Sequence, residues 1–253
     1  MKTRNIAVAA MLALCGTAFA QTSMKITFKD ASKQPVSYDI SEVKEVTWEA
    51  SEPADERIVD MGLSVKWASM NVGATTPYET GSFFQWGEVK PQTGSFNWAD
   101  YQHCLGSNNT LTKYANNETY GLEVDNQGVL LPEDDAATVN WGEHWRTPTL
   151  AEFNELLNNV TKETVVIDEV KYIKLTSKVN GAELWFRPGG YGSDNKFTMP
   201  TTMVYLWLAD CEFQYMCFRA WEGIIGTGTT SGNFQSGYGD RRFGNNVRPV
   251  YVP

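Results

Sequence analysis

Residues 141–157 read WGEHWRTPTLAEFNELL and bring Trp141, His144, Trp145 and Arg146 close together. An imidazole offers proton transfer or metal ligation, a guanidinium grips carboxylates, and an indole stacks on flat ligands. The chain supplies few partners for such chemistry. His103 is the only other histidine, and neither a His-x-x-x-His nor a Cys-x-x-Cys spacing occurs. Zinc, which takes three or four such ligands, is therefore not expected. No Gly-x-Ser-x-Gly elbow supports a nucleophile triad. Acids are plentiful enough for the carboxylate pair of a glycosidase, but nothing in their spacing selects one. Arg146 has two readings, a carboxylate ligand's anchor or a structural fork to Asp134 or Asp135. The structural reading is the expectation, and Trp141 and Trp145 are expected to fill the core beside it.

The elements around this stretch are short. Thr149 can cap a helix, Glu152 completes a capping box three residues later, and Leu150, Phe153, Leu156 and Leu157 make one apolar face. The PEDDAA segment places a proline and acids where a first turn favours them, which predicts a second short helix at about 133–140. Strands are predicted in LSVKWAS, in a hairpin TVVIDEVKYIKLTS turning at Asp168-Glu169, and in AELWF, VYLWLAD, MCFRAWEGI and NVRPVYV. Residues 91–128 read as long surface loops, and GTGTTSGNFQSGYGDRRFGNN as a glycine-rich polar loop. Helices grouped in sequence among many strands define an α+β domain and disfavour alternating α/β architectures.

Ahead of this domain, residues 1–20 show the charged, apolar and small-x-small order of a secretory signal, with cleavage expected after Ala20. Residues 21–50 alternate as a small β-hairpin segment, 51–57 form a polar linker, and the main domain covers 58–253. No stretch is apolar enough for a membrane helix. Removing residues 1–20 takes Lys2 and Arg4 with it, leaving 19 basic against 30 acidic side chains, a net charge of −11. Nucleic acid and anionic membranes are poor partners for such a chain. Cys104, Cys211 and Cys217 remain after cleavage. Cys211 and Cys217 either close a small disulfide loop or sit as buried thiols.

Four segments carry a resemblance: VDMGLSVKWASMNVGA at 59–74, FFQWGEV at 83–89, PEDDAATVNWGEHWRTPTLAEFNELL at 132–157 and NNVRPVYV at 245–252. In this order and spacing they resemble the Fibrobacter succinogenes major paralogous domain family, common in exported proteins of gut Bacteroidetes. Thr147, where the family usually has methionine, and WLADC at 207–211 depart from its pattern. The resemblance implies a C-type lectin-like fold, with the last strand beside the first and a long loop excursion carrying the binding face. It is distantly similar to formylglycine-generating enzymes and retroelement-diversified variable proteins. Trp141, Trp145, Arg146, Thr149 and Glu152 are the structural motif it implies. The segment at 24–49 more weakly resembles a short β segment that follows the signal in exported Bacteroidetes proteins.

The same resemblance frames function. Calcium-dependent sugar sites of lectins carry Glu-Pro-Asn or Gln-Pro-Asp with Trp-Asn-Asp, and none is here. A structural calcium in the acidic loops is left open without a place, and no other cofactor is expected. The formylglycine-generating reaction needs two copper(I)-binding cysteines. Only Cys211 and Cys217 lie close, and upstream of the expected position. The expectation is therefore an exported, non-enzymatic module, periplasmic, cell-surface or secreted, that binds a glycan or protein through loops in 207–246. Arg219, Tyr238, Arg241, Arg242 and Phe243 are its candidate contacts, because rigid aromatics among small polar residues suit recognition. The alternative is a fimbria-associated assembly subunit that uses 24–49 to add strands to an envelope partner.

Overall fold

The computed structural model describes residues 23–26, 34–39, 55–198, 200–211, 216–223 and 234–253. The signal segment 1–20, most of the linker, and Phe213 and Tyr215 lie outside the described residues. The chain divides into two compact units, Met1–Pro53 and Ala54–Pro253. In the first, β1 (Ser23–Ile26) and β2 (Val36–Asp39) pair antiparallel with Met24 opposite Tyr38 and Ile26 opposite Val36. The alternation at 24–26 and 36–39 is thus that of an antiparallel strand pair.

The second unit is mostly antiparallel sheet with two short helices. One sheet joins its two ends: β3 (Ile58–Val59), β4 (Lys66–Ala68), β14 (Val250–Tyr251) and β5 (Trp145–Arg146) lie in the order β3-β4-β14-β5. Val250 faces Trp67 on one side and Arg146 on the other. A second sheet is the meander β6 (Val160–Ile167), β7 (Val170–Ser177) and β8 (Glu183–Phe186). A third contains β11 (Met203–Trp207), β12 (Met216–Gly223) and β13 (Gln235–Asp240). A small hairpin, β9 (Tyr191–Ser193) with β10 (Lys196–Thr198), lies between them in sequence.

The helices are α1 (Ala136–Trp141), entered through a 3-10 turn at Pro132–Asp134, and α2 (Leu150–Asn158). The predicted helix at 133–140 is therefore split. Asp135 is extended (φ −90°, ψ 113°) because it caps α1, accepting from the Ala137 N–H. The apolar face of α2 works as its spacing predicts: Phe153 and Leu156 are fully buried against Trp67, Ile173, Leu175 and Val250. That core closes the first sheet on the second. Truncating a buried Phe or Leu of this kind costs about 2–5 kcal/mol.

Two readings of the loops change. Residues 91–128 are irregular but not merely surface, since Tyr101, Cys104, Leu111 and Ala115 form a small core of their own. Backbone bonds such as Leu111 N–H to the Tyr120 carbonyl hold the excursion closed. The glycine-rich segment contains β13, a full strand on β12 with Arg219 opposite Gly237. Its glycines hid it from propensity. A side chain at Gly239 would put its Cβ 2.5 Å from the Arg219 Nε, so the strand gives up side chains there to let the arginine pass.

Candidate functional site

The stretch at 141–157 is a packing corner. The Thr149 hydroxyl accepts from the Glu152 N–H (3.3 Å), and the Glu152 carboxylate accepts from the Thr149 N–H (2.9 Å), completing the capping box. The Arg146 guanidinium forks onto that same carboxylate, with Nη1 2.8 Å from Oε2 and Nη2 on Oε1. The partner expected for Arg146, Asp134 or Asp135, is thus corrected to Glu152. Asp135 is already saturated: beyond its cap it accepts from the Thr147 N–H and the Thr147 hydroxyl, both at 2.7 Å. Thr147 departs from the resembled pattern, and here its hydroxyl supplies one of those bonds. Burial works to raise the Glu152 pKa, but the Arg146 fork and the Thr149 donors outweigh it and hold the carboxyl below its usual range. Trp145 is buried. Trp141 is half-buried and packs edge-on against it at 5.0 Å, beneath the Arg57 guanidinium. The two indoles are occupied by an internal cation and by Tyr251.

The residues expected to bind ligand through 207–246 divide. Arg241 is 1% exposed and donates to the carbonyls of Lys113 (3.1 Å) and Tyr114 (2.6 Å), tying the 91–128 excursion to the end of β13. It faces inward, so a recognition role for Arg241 is corrected to a brace. Arg242 reaches the Phe96 carbonyl and Asp194, both at 2.9 Å, and so pins the β9–β10 turn. Arg219 lies over the rings of Tyr191, Tyr205 and Phe243 at 4.8–5.3 Å. Phe243 is half-buried in that stack, and Tyr238 is 42% exposed. Four of the five residues thus spend much of their surface inside the protein. Cys211 and Cys217 form a disulfide, so neither is a thiolate for copper. Cys104 is a buried free thiol whose pKa burial pushes up.

A cluster of titratable groups lies where the 91–128 excursion meets Glu88 and Asp134. Asp134 accepts from the Tyr114 hydroxyl and Lys113 Nζ, both at 2.5 Å, and lies 3.8 Å from His103 Nε2. Glu88 accepts from the Gln102 N–H (2.8 Å), and burial raises its pKa. Of these groups Asp134 and Glu88 border a cavity of about 10 Å³, the lower limit for one water and too small for a substrate. Among the described residues no group of three or more His, Cys, Asp or Glu is placed to hold a metal ion.

A far roomier concavity lies elsewhere. A cleft of about 890 Å³ opens between the β6–β7 turn, the 187–189 corner and β10. Phe83, Phe197 and Pro188 give it apolar walls, Thr80, Thr201 and Thr202 give it hydroxyls, and Glu169, Lys171 and Arg187 give it charge. The sequence builds each wall for a local reason. Phe83 packs against Phe197 with ring centroids 4.6 Å apart, and Phe197 against the buried Phe96 at 5.4 Å. Phe96 in turn fits only because Gly192 and Gly244 face it: a Cβ on either would fall within 2.2 Å of its ring. Gly189 is likewise required, since its Cβ would sit 2.7 Å from Thr80 and 3.0 Å from Phe83. Glu169 stands in a two-residue turn with Asp168 in which both φ angles are positive (47° and 66°), the geometry that matches strand twist but suits Asn-Gly. Arg187 donates to the Tyr78 carbonyl at 3.4 Å. Neither Arg187 nor Lys171 forms an ion pair among the described residues.

Sequence reasoning missed this cleft. Its residues come from five separated segments, each of which reads locally as a strand end, a turn or a corner. The available signals were Phe83, half-buried beside the fully buried Phe84, and the acidic turn that lacks the expected glycine. Comparison of the chain with protein-family models, curated proteins and solved structures finds no match.

Proposed function

We propose that this protein is an exported, non-enzymatic binding module of the bacterial cell envelope, built on a C-type lectin-like domain, and that it recognises a glycan. The single observation that carries the ligand reading is the 890 Å³ cleft whose walls combine the Phe83–Phe197 pair with a ring of hydroxyl and charged side chains. Apolar ring faces with a few placed polar groups are the usual make-up of small-molecule sites. Threonine hydroxyls both donate to and accept from sugar hydroxyls. The lectin-like reading is supported by the pairing of β14 with β4 near the domain's start and by the two short helices between them in sequence. Export rests on the charged, apolar and small-x-small order of residues 1–20.

The site assignment is tested on a glycan array with the unaltered chain, Phe197→Ala, Phe83→Ala and Tyr238→Ala. Phe197→Ala and Phe83→Ala are expected to weaken retention about tenfold, by removing ring contact worth ~1 kcal/mol or more. Unchanged retention by both, with loss in Tyr238→Ala, returns the site to the 207–246 loops. A second reading, an assembly subunit of a surface appendage, is favoured by one observation: among the described residues β1 and β2 form a two-stranded sheet, a unit suited to strand addition. Deleting 24–49 then abolishes envelope association, whereas a glycan module keeps its ligand.

A further inference from the structure

Beside the large cleft lies a second hollow of about 230 Å³, lined by Gly81, Ser82, Phe83, Pro91, Gln92, Thr93 and Phe197. Phe83 and Phe197 line both. The two rings are thus a ridge between adjoining depressions rather than the wall of one. A ligand that covers both sides of such a ridge is a chain. A monosaccharide fills one side only.

The two sides differ in charge. The small hollow carries hydroxyl and amide groups and no ionisable side chain. The large one carries Lys171 and Arg187 against Glu169. Its cation excess inverts the balance of the whole chain, which has 21 basic against 30 acidic residues. Glu79, outside this lining, accepts from the Thr75 N–H (2.7 Å) and the Thr75 hydroxyl (3.1 Å), which hold its carboxyl below its usual range with a smaller contribution from the Arg187 charge. Arg187 keeps most of its donors after its one 3.4 Å bond to Tyr78. A guanidinium beside an ammonium at the edge of an apolar wall is suited to a carboxylate, which the guanidinium can hold with two parallel bonds.

Building on the glycan reading above, we propose that the two hollows together bind an extended polysaccharide bearing carboxylates. A uronate-type unit lies at Lys171 and Arg187, and a neutral unit lies beyond the Phe83–Phe197 ridge. Glu169 is held at the rim by a strained turn and opposes the anion. It restricts binding to chains that place their carboxylate on the Arg187 side.

Affinity electrophoresis of the full chain tests this with polygalacturonate, its fully methyl-esterified form and hyaluronan as probes. The unaltered protein is expected to be retarded by polygalacturonate or hyaluronan at least tenfold more strongly than by the ester. A Lys171→Gln/Arg187→Gln double variant loses that tenfold preference, with its melting temperature little changed because both side chains are only half-buried and neither forms an ion pair among the described residues. Glu169→Gln is expected to bind the acidic probe about threefold tighter, the scale of one exposed charge pair. Equal retardation by polygalacturonate and its ester overturns the carboxylate inference and leaves the glycan reading standing. Weaker binding in Glu169→Gln overturns it as well, because Glu169 would then be a ligand contact. If none of the three polysaccharides is retarded the inference falls, and the glycan reading falls with it only if the array is empty too.

Discussion

At the scale of the residue, this protein relies on arginines that do not meet solvent. Arg248 is 1% exposed and has no carboxylate partner among the described residues. Its guanidinium donates to Asn71 Oδ1 (2.7 Å) and to the carbonyls of Ala68, Ser69 and Trp185, and it lies 4.1 Å over the Phe186 ring. Burial lowers its pKa to about 9, and four oxygens keep it charged at neutral pH. A lysine has no planar fork to span acceptors on separate segments. Arg248→Lys is therefore expected to cost about 2–4 kcal/mol, from buried carbonyls left unpaired, measured as a lower urea midpoint. A cost near zero would show that water takes over those bonds. His103 gives a residue-scale test against pH. Its burial lowers the imidazole pKa despite the Gly87 carbonyl at 2.8 Å and the nearby Asp134, with Lys113 and Arg241 adding to the decrease. The unfolded chain then takes up a proton that the native state refuses. Stability is unaffected above the ordinary histidine value of about 6.5 and falls as pH drops below it, until the lowered native pKa is reached. Melting temperatures of the unaltered chain and His103→Gln should diverge as pH falls below about 6.5, with the variant showing the flatter profile.

At the scale of the element, α2 shows what local chemistry can specify and where it stops. Thr149, Glu152 and the Leu/Phe spacing are contiguous, so the helix, its start and its buried face follow from residues 149–157 alone. Arg146 was legible as a brace, but its acid was not, because several acids lie within reach and only the fold turns Asp135 toward Thr147. β13 was illegible for a different reason: Gly239 admits Arg219 from the neighbouring strand, and a one-dimensional pattern cannot show the visitor. The cleft is an extreme of the same kind, since its walls meet only in three dimensions. The capping arrangement makes a graded prediction. Thr149→Ala removes one cap bond and is expected to cost about 1 kcal/mol. Glu152→Ala removes the reciprocal cap and the Arg146 fork together and should cost more, about 2 kcal/mol, because a half-buried guanidinium is left without its anion. Since the Glu152 carboxyl titrates below its usual range, that difference is fully present above about pH 4.5 and lost as pH falls through the native value. Thermal melts of both variants at pH 7 and pH 3 check the order and its disappearance.

At the scale of the whole molecule, the second unit is closed by its own last residues. β14 is an inner strand of the β3-β4-β14-β5 sheet, so it touches segments from the beginning and the middle of the domain at once. The Val250 side chain is completely buried with Trp67, the Pro249 carbonyl accepts from the Ala68 N–H at 2.9 Å, and the Val252 N–H donates to the His144 carbonyl at 2.8 Å. These contacts span nearly the whole domain in sequence, and such pairings form late and slowly. Core packing around Trp67 and Phe153 is therefore completed only when the final strand arrives. A domain's net stability is about 5–15 kcal/mol, and removing an inner strand exposes a core of several buried side chains worth about 2 kcal/mol each. A chain ending at Arg248 is accordingly expected to lose its cooperative melt and to bind a hydrophobic dye. A chain beginning at Ala54 keeps every contact of the second unit and should melt as one transition and still bind the acidic polysaccharide. Five residues at one end would thus matter more to this domain than the first 53 at the other. A cooperative melt in the chain ending at Arg248 would place the keystone instead in the β6–β7–β8 meander and α2.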